Sequence, residues 1–235
     1  MKTVAIIPVY GRLPLLKHTI ERLLKKNGVD VVIAIGATKE EREVSEKAGA
    51  KFFEHENMPL GRKWNFGFQK AREEKPDVCV FVGSSDWLSD NWLPTLLPMM
   101  KEYDMIGKPD FTMMDISKTT RCVRWGGYVG ERKDESIGIG RLISARILDK
   151  MNWKPFVDEK NNSMDFAMFN NVKNLGGKYT LIKDDTLVPL SLSTDRWENK
   201  HRFEDHWTNR IEGVNTKLLN DPIFELFPEH NLIFK

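Results

Sequence analysis

Short apolar runs alternate along the chain with segments whose apolar residues recur at helical spacing. Thr3–Pro8 (Thr-Val-Ala-Ile-Ile-Pro) is apolar almost throughout, as a strand covered on both faces requires. After it, Leu16, Ile20, Leu23 and Leu24 fall on one helical face, Pro14 sits in the first turn and Gly28 ends the segment. Residues 31–35 repeat the strand signal. The polar stretch 38–48 reads as a helix with Thr38 as N-cap, Glu41 completing a capping box and Gly49 as its stop. A strand at Lys51–Glu54, a helix over 62–73 and a strand at 78–82 complete four repeats with short connections, which predicts parallel βαβ units. The second half is less regular. Residues 105–116 and 121–129 suit a β-hairpin or antiparallel extension, 163–175 a helix ended by Gly176-Gly177, and 178–182 and 186–190 two strands before a polar, aromatic-rich tail. The expectation is an α/β fold: a mostly parallel central sheet with a small antiparallel extension, in a single domain over residues 1–235.

Composition narrows the chemistry. Hydrophobic residues make up 40% of the 235 and charged residues 30%, enough for a core and a solvated surface. The formal charge is +2, from 36 Lys+Arg against 34 Asp+Glu, which lacks the field of a dedicated polyanion binder. Nucleic acid is therefore an open but not favoured partner, through the basic, aromatic segments 119–133 and 196–210. Cys79 and Cys122 are the only cysteines, and Cys79 lies in an apolar run, so neither a disulfide scaffold nor a zinc cluster is expected. Met1-Lys2-Thr3 leads straight into a strand pattern, and no stretch approaches the roughly 20 apolar residues of a membrane span. A cytoplasmic location follows as the default expectation.

Gly83-Ser84-Ser85-Asp86-Trp87 is the most informative segment, because it follows the last strand of the repeats, where open parallel sheets bind ligands. Asp86 offers a hard oxygen ligand and Ser84 and Ser85 smaller polar groups, suited to a metal-bound diphosphate. The competing reading makes Asp86 a turn residue ahead of a helix capped by Ser89 or Asp90. The wider context separates the two. Val4-Ala5-Ile6-Ile7-Pro8-Val9-Tyr10-Gly11-Arg12 resembles the opening strand and donor-binding turn of family 2 glycosyltransferases. Asn57-Met58-Pro59-Leu60-Gly61-Arg62-Lys63-Trp64-Asn65-Phe66-Gly67 is similar to the segment where that family places a glycine, a basic residue and an asparagine. Val82-Gly83-Ser84-Ser85-Asp86-Trp87 matches the position of its acidic metal motif, and Asp165, opening a helix, matches its base.

The resemblance implies a Rossmann-like nucleotide-sugar-binding domain, with residues 1–108 as the donor half and 109–235 as the acceptor and catalytic half. It implies inverting transfer from a nucleoside-diphosphate sugar, with Asp165 as general base, since an attacking hydroxyl must lose its proton as the bond forms. Pro8, Tyr10, Arg12, Gly36, Lys63, Asn65, Ser84, Ser85 and Asp86 are then the donor-binding candidates. A divalent cation, Mn²⁺ or Mg²⁺, is implied at Asp86, with His201 or His206 as a late ligand. The pattern also departs from the family. Gly83 and Ser85 stand where acidic residues are expected, and Ile35-Gly36-Ala37 replaces an acidic turn that contacts the nucleoside. Arg12, Arg62 and Lys63 are candidates to neutralise the diphosphate instead. Trp87, Trp92, Trp125 and Tyr128 offer flat faces for sugars or bases. The acceptor stays open among glycans, small molecules, proteins and a hydroxylated base in nucleic acid such as modified phage DNA. Two alternatives also stay open: a non-catalytic sugar-nucleotide or carbohydrate-binding protein, and a nucleotidyltransferase, although the first turn lacks a glycine-rich, lysine-containing loop.

Overall fold

Thr3–Pro8 is strand β1, and its neighbours fall where the apolar periodicity puts them. The computed structural model describes residues 1–116, 122–193, 216–219 and 226–227. After β1 come α1 (Leu13–Lys25), β2 (Val31–Gly36), α2 (Lys39–Lys47), β3 (Lys51–Glu54), α3 (Leu60–Glu73), β4 (Val78–Phe81) and β5 (Asp86–Leu88). The chain continues through α4 (Trp92–Leu96), β6 (Met105–Gly107), β7 (Phe111–Asp115), β8 (Cys122–Trp125) and β9 (Leu142–Ser144). It closes with α5 (Ala145–Lys150), α6 (Met164–Asn174), β10 (Tyr179–Leu181), β11 (Pro189–Ser193) and β12 (Thr216–Leu219).

Seven strands form the main sheet in the order β10-β6-β9-β4-β1-β2-β3. β1 pairs in parallel with β2 and β4, β2 with β3, and β6 with β10, whereas β9 runs antiparallel between β4 and β6. Side chains alternate across a strand, so β1 sends Ala5 and Ile7 into one layer and Val4 and Ile6 into the other. Leu16, Ile20 and Leu23 of α1 cover the first face, and Trp64 and Phe68 of α3, with Met168 and Val172 of α6, cover the second. Burial on both faces is why β1, β2 and β4 read as unbroken apolar runs.

The capping box at α2 is present as read: Glu41 N–H donates to Thr38 Oγ1 and Thr38 N–H to Glu41 Oε2, both at 3.2 Å. The antiparallel extension is present and larger than a single hairpin. It is a five-stranded mixed sheet, β12-β8-β7-β11-β5, in which β11 runs parallel to β7 and antiparallel to β5. Residues 105–116 also divide, because β6 joins the main sheet and only β7 pairs antiparallel with β8. β5, β9 and α5 were not foreseen; three-residue strands carry too few positions to show a period. No helix among the described residues is long and apolar enough to cross a membrane.

Candidate active site

The site forms where the chain passes from one sheet to the other. Leaving β4 at Phe81, it crosses through Val82, Gly83, Ser84 and Ser85 and enters β5 at Asp86. The Asp86 carboxylate folds back so that Oδ2 accepts from Gly83 N–H at 2.7 Å. A Cβ on residue 83 would lie 2.5 Å from that oxygen, so a side chain here would displace the carboxylate from its present path. Burial pushes the Asp86 carboxyl above the usual range, with Asp165 adding to the effect, against the Gly83 amide, Arg12 and Ser191, which favour its charge.

Arg12 reaches the same place from the β1–α1 turn. It is the N-cap of α1 in a left-handed conformation, φ 53°, and its guanidinium donates to Ser85 Oγ at 2.8 Å. Across the cavity stands Asp165, in the first turn of α6. Tyr128 O–H donates to its Oδ2 at 3.0 Å, and Arg141 Nη2 lies 3.2 Å from its Oδ1. Gly138 leaves room for this carboxylate, since a Cβ there would come within 2.8 Å of Oδ1. Asp86 and Asp165 line one cavity of about 430 Å³, with Arg12, Ser85, Tyr128 and Arg141 as its other charged or polar groups and Ser191 beside Asp86. Trp64, Phe81, Phe156, Trp125, Phe111 and Met164 are among its apolar walls. Rings of Trp64 and Phe81 pack at 5.0 Å, and Trp125 meets Tyr128 edge-on at 4.9 Å.

Arg12, Ser85, Asp86 and Asp165 are thus brought together, and Trp125 and Tyr128 join them. The other candidates point elsewhere. Lys63 is buried in α3, its ammonium donating to the Val9 carbonyl and, at 2.6 Å, to Asn57 Oδ1. It braces the end of β1 rather than facing the cavity, and burial lowers its pKa to about 8 against the opposing pull of Glu41. Asn65 holds the segment before α6: its amide donates to the Phe156 carbonyl and Asp158, and accepts from Phe156 N–H. Ser84 is turned inward, its carbonyl accepting from Thr19 Oγ1. Gly36 ends β2, where a Cβ would meet Glu41 Oε2 at 2.6 Å, and Pro8 and the half-exposed Tyr10 lie at and just past the end of β1. The acidic group near residues 36–38 is in fact Glu41, which accepts from Gly11, Ala37 and Thr38 amides. Trp87 and Trp92 are core residues, the first against Phe227 and the second donating to the Gly140 carbonyl. His201 and His206 lie outside the described residues. Arg141 was missed, because nothing in its sequence surroundings marks it.

The described residues do not supply the donor set of a tightly held divalent cation. No three His, Cys, Asp or Glu side chains converge among them. Asp86 is the one carboxylate at the β4–β5 crossing, an amide already occupies one of its oxygens, and a guanidinium provides positive charge beside it.

The family model of glycosyl transferase family 2 matches residues 4–151, more than half of the chain and all of its βαβ repeats. The chain belongs to glycosyl transferase family 2. Among solved structures, this family 2 chain is similar to S. aureus TarS 1-349, at 14% identity and a TM-score of 0.58, covering 82% of this chain and 60% of that one. The same protein in complex with UDP matches at 15% identity and a TM-score of 0.56, over 82% of this chain and 60% of that one. A longer S. aureus TarS structure matches at 14% identity and a TM-score of 0.53, over 83% of this chain and 36% of that one. The likeness shows a shared fold, and the chain spans about three-fifths of TarS 1-349. No curated protein sequence matches the chain.

Proposed function

We propose that this family 2 chain transfers a sugar from a nucleoside-diphosphate sugar to an acceptor hydroxyl with inversion at the anomeric carbon. The observation that carries this reading is the single cavity shared by Asp86 and Asp165, each on the element where the family resemblance puts it. UDP bound to the similarly folded TarS supports a nucleotide donor. Arg12 and Ser85 line the cavity beside Asp86, so the departing diphosphate lies toward a guanidinium that offsets its growing charge. Asp165 acts on the other partner. It takes the acceptor proton as the acceptor oxygen bonds to the anomeric carbon and the donor's C–O bond breaks, its electron pair leaving on the diphosphate. A divalent cation, were the reaction to use one, would be held at Asp86 together with the diphosphate's own oxygens and would offset charge on the leaving group.

The lone carboxylate of the crossing favours one other reading, a sugar-nucleotide-binding protein without turnover. The two separate on a panel of nucleoside-diphosphate sugars, with release of free nucleoside diphosphate measured with and without Mn²⁺. Turnover of one donor is expected, and Asp165→Asn is expected to lower it by about 100-fold or more while donor binding persists. Tight donor binding with no release under any condition would establish the binder, and full activity in Asp165→Asn would remove the base.

A further inference from the structure

Both oxygens of Asp165 are engaged by side chains from outside its helix. Tyr128 O–H takes Oδ2, and Arg141 takes Oδ1. Arg141 has little freedom. It is fully buried, its Nε donates to Ser136 Oγ at 2.8 Å, its Nη2 to the Ser136 carbonyl at 2.6 Å, and it lies over the Phe81 ring. Tyr128 is braced too, with the Arg132 guanidinium 3.8 Å from its ring centroid and Glu135 holding that arginine in a two-pronged pair. The groups facing Asp165 are therefore Arg141 before β9, Tyr128 after β8, and Asp86 of β5 with Arg12 beside it; Arg132 and Glu135 stand behind the first two.

We propose that Arg141 and Tyr128 are positioning residues for the proton transfer. They clamp Asp165 so that a lone pair of Oδ2 stays open to the acceptor hydroxyl, and the Arg141 charge becomes unbalanced only as the proton arrives. This rests on Asp165 being the base. A carboxylate has about four acceptor sites, so the Tyr128 hydrogen bond and the Arg141 ion pair leave room for the acceptor hydroxyl. Before the reaction, Arg141 and Asp165 together are neutral. As the acceptor O–H breaks, its proton moves to Oδ2, the oxygen bonds to the anomeric carbon, and the electrons of the broken C–O bond leave on the diphosphate. The Arg141 charge, balanced by Asp165 until then, faces the same cavity in which the leaving group turns more negative, so part of what it loses in the pair it regains toward that group. The clamp's main contribution is to hold Oδ2 in place for the proton, an orientation set before the reaction begins. Tyr128 remains a donor throughout the neutral range, because burial and the neighbouring carboxylate raise its pKa to about 12.

The test compares Arg141→Met, Arg141→Lys, Tyr128→Phe and Asp165→Asn. Transfer kinetics, with kcat and acceptor KM read separately, and donor affinity by calorimetry are measured on each. Arg141→Met is expected to lower kcat about 100-fold with donor Kd nearly unchanged, since the lost contact holds the base and not the donor. Arg141→Lys, which keeps the charge, should recover much of that kcat, and Tyr128→Phe, which takes one donor from Oδ2, should lower kcat less and raise the acceptor KM. If Arg141→Met fails to fold, the other two variants carry the comparison. Unchanged kcat and acceptor KM in folded Arg141→Met or Tyr128→Phe, or a defect confined to donor affinity, overturns the proposal. Full transfer by Asp165→Asn would instead overturn the base, even where the other variants are impaired.

Discussion

Arg12 and Lys63 show how one charge type serves two ends at the residue scale. Arg12 lines the cavity, and Lys63 is turned into the protein to satisfy Val9 and Asn57. Arg12→Ala is therefore expected to weaken nucleoside diphosphate binding by about 10–100-fold, the equivalent of one or two charge-assisted hydrogen bonds, as calorimetry with and without Mn²⁺ will show. Lys63→Ala is expected to act on the fold. It leaves two acceptors unpaired and a void in α3, a loss of about 2–4 kcal/mol in denaturant unfolding, without a diphosphate-specific defect. The residue types of the site were legible in the sequence, but their directions were not. Asp86 stood out as a carboxylate just past a predicted strand, and Asp165 through the family resemblance. Whether Ser84, Asn65 or Lys63 faced a ligand depended on side-chain directions fixed by tertiary packing, as with Asn65 reaching Phe156 across 91 positions. Arg141 could not be found, since its meaning comes entirely from a partner 24 residues away in α6.

Among the elements, α3 is the one whose packing leaves least latitude. Gly67 faces the main sheet, where a Cβ would come within 2.8 Å of Ile6 Cγ2 and 3.2 Å of Ile35. Alanine gains about 1 kcal/mol in helix propensity, yet the forced shift of helix against sheet costs about 1–3 kcal/mol. Gly67→Ala is thus expected to be neutral to destabilising in thermal melts, and clear stabilisation would contradict the packing. Gly61 sits at the other end of the helix, where a Cβ would strike the Val157 carbonyl at 2.1 Å. The neighbouring Phe156 is a cavity wall, so this glycine shapes the site through the backbone alone. Elements with a complete period were readable: β1, β3 and α2 with its capping box follow from sequence pattern and local chemistry. The strand run of Asp86–Leu88 was not, because its pairing with Ser191, Leu190 and Pro189 joins segments about a hundred residues apart.

At the scale of the molecule, Asp104 joins the edge of the main sheet to the helix beyond it. Its carboxylate accepts from Lys178 N–H and Ser144 Oγ and pairs with Arg146, linking the entries to β6 and β10 with β9 and α5. Burial works against its charge, but these partners outweigh burial and hold the carboxyl below the usual carboxylate range. A depressed carboxyl pKa contributes stability above the unfolded value, and that contribution is lost as pH falls through the folded one. Hydrogen bonds from Thr3 lower Asp30 in the same way at the amino-terminal end of β1. Stability is expected to be level near neutrality and to fall below about pH 4, and Asp104→Asn should lower the neutral plateau and flatten that acid slope. Chemical denaturation across pH 2.5–7 (roughly the carboxylate range) measures both.

The passage between the sheets has a consequence for how this chain tolerates insertions and deletions. Four residues, 82–85, separate a strand of one sheet from a strand of the other, and side chains on a strand alternate with every position. Adding or removing one amino acid there would swing Asp86 to the reverse side of its ribbon and bring Trp87 toward the cavity. Length is the quantity that descent must preserve in this short bridge.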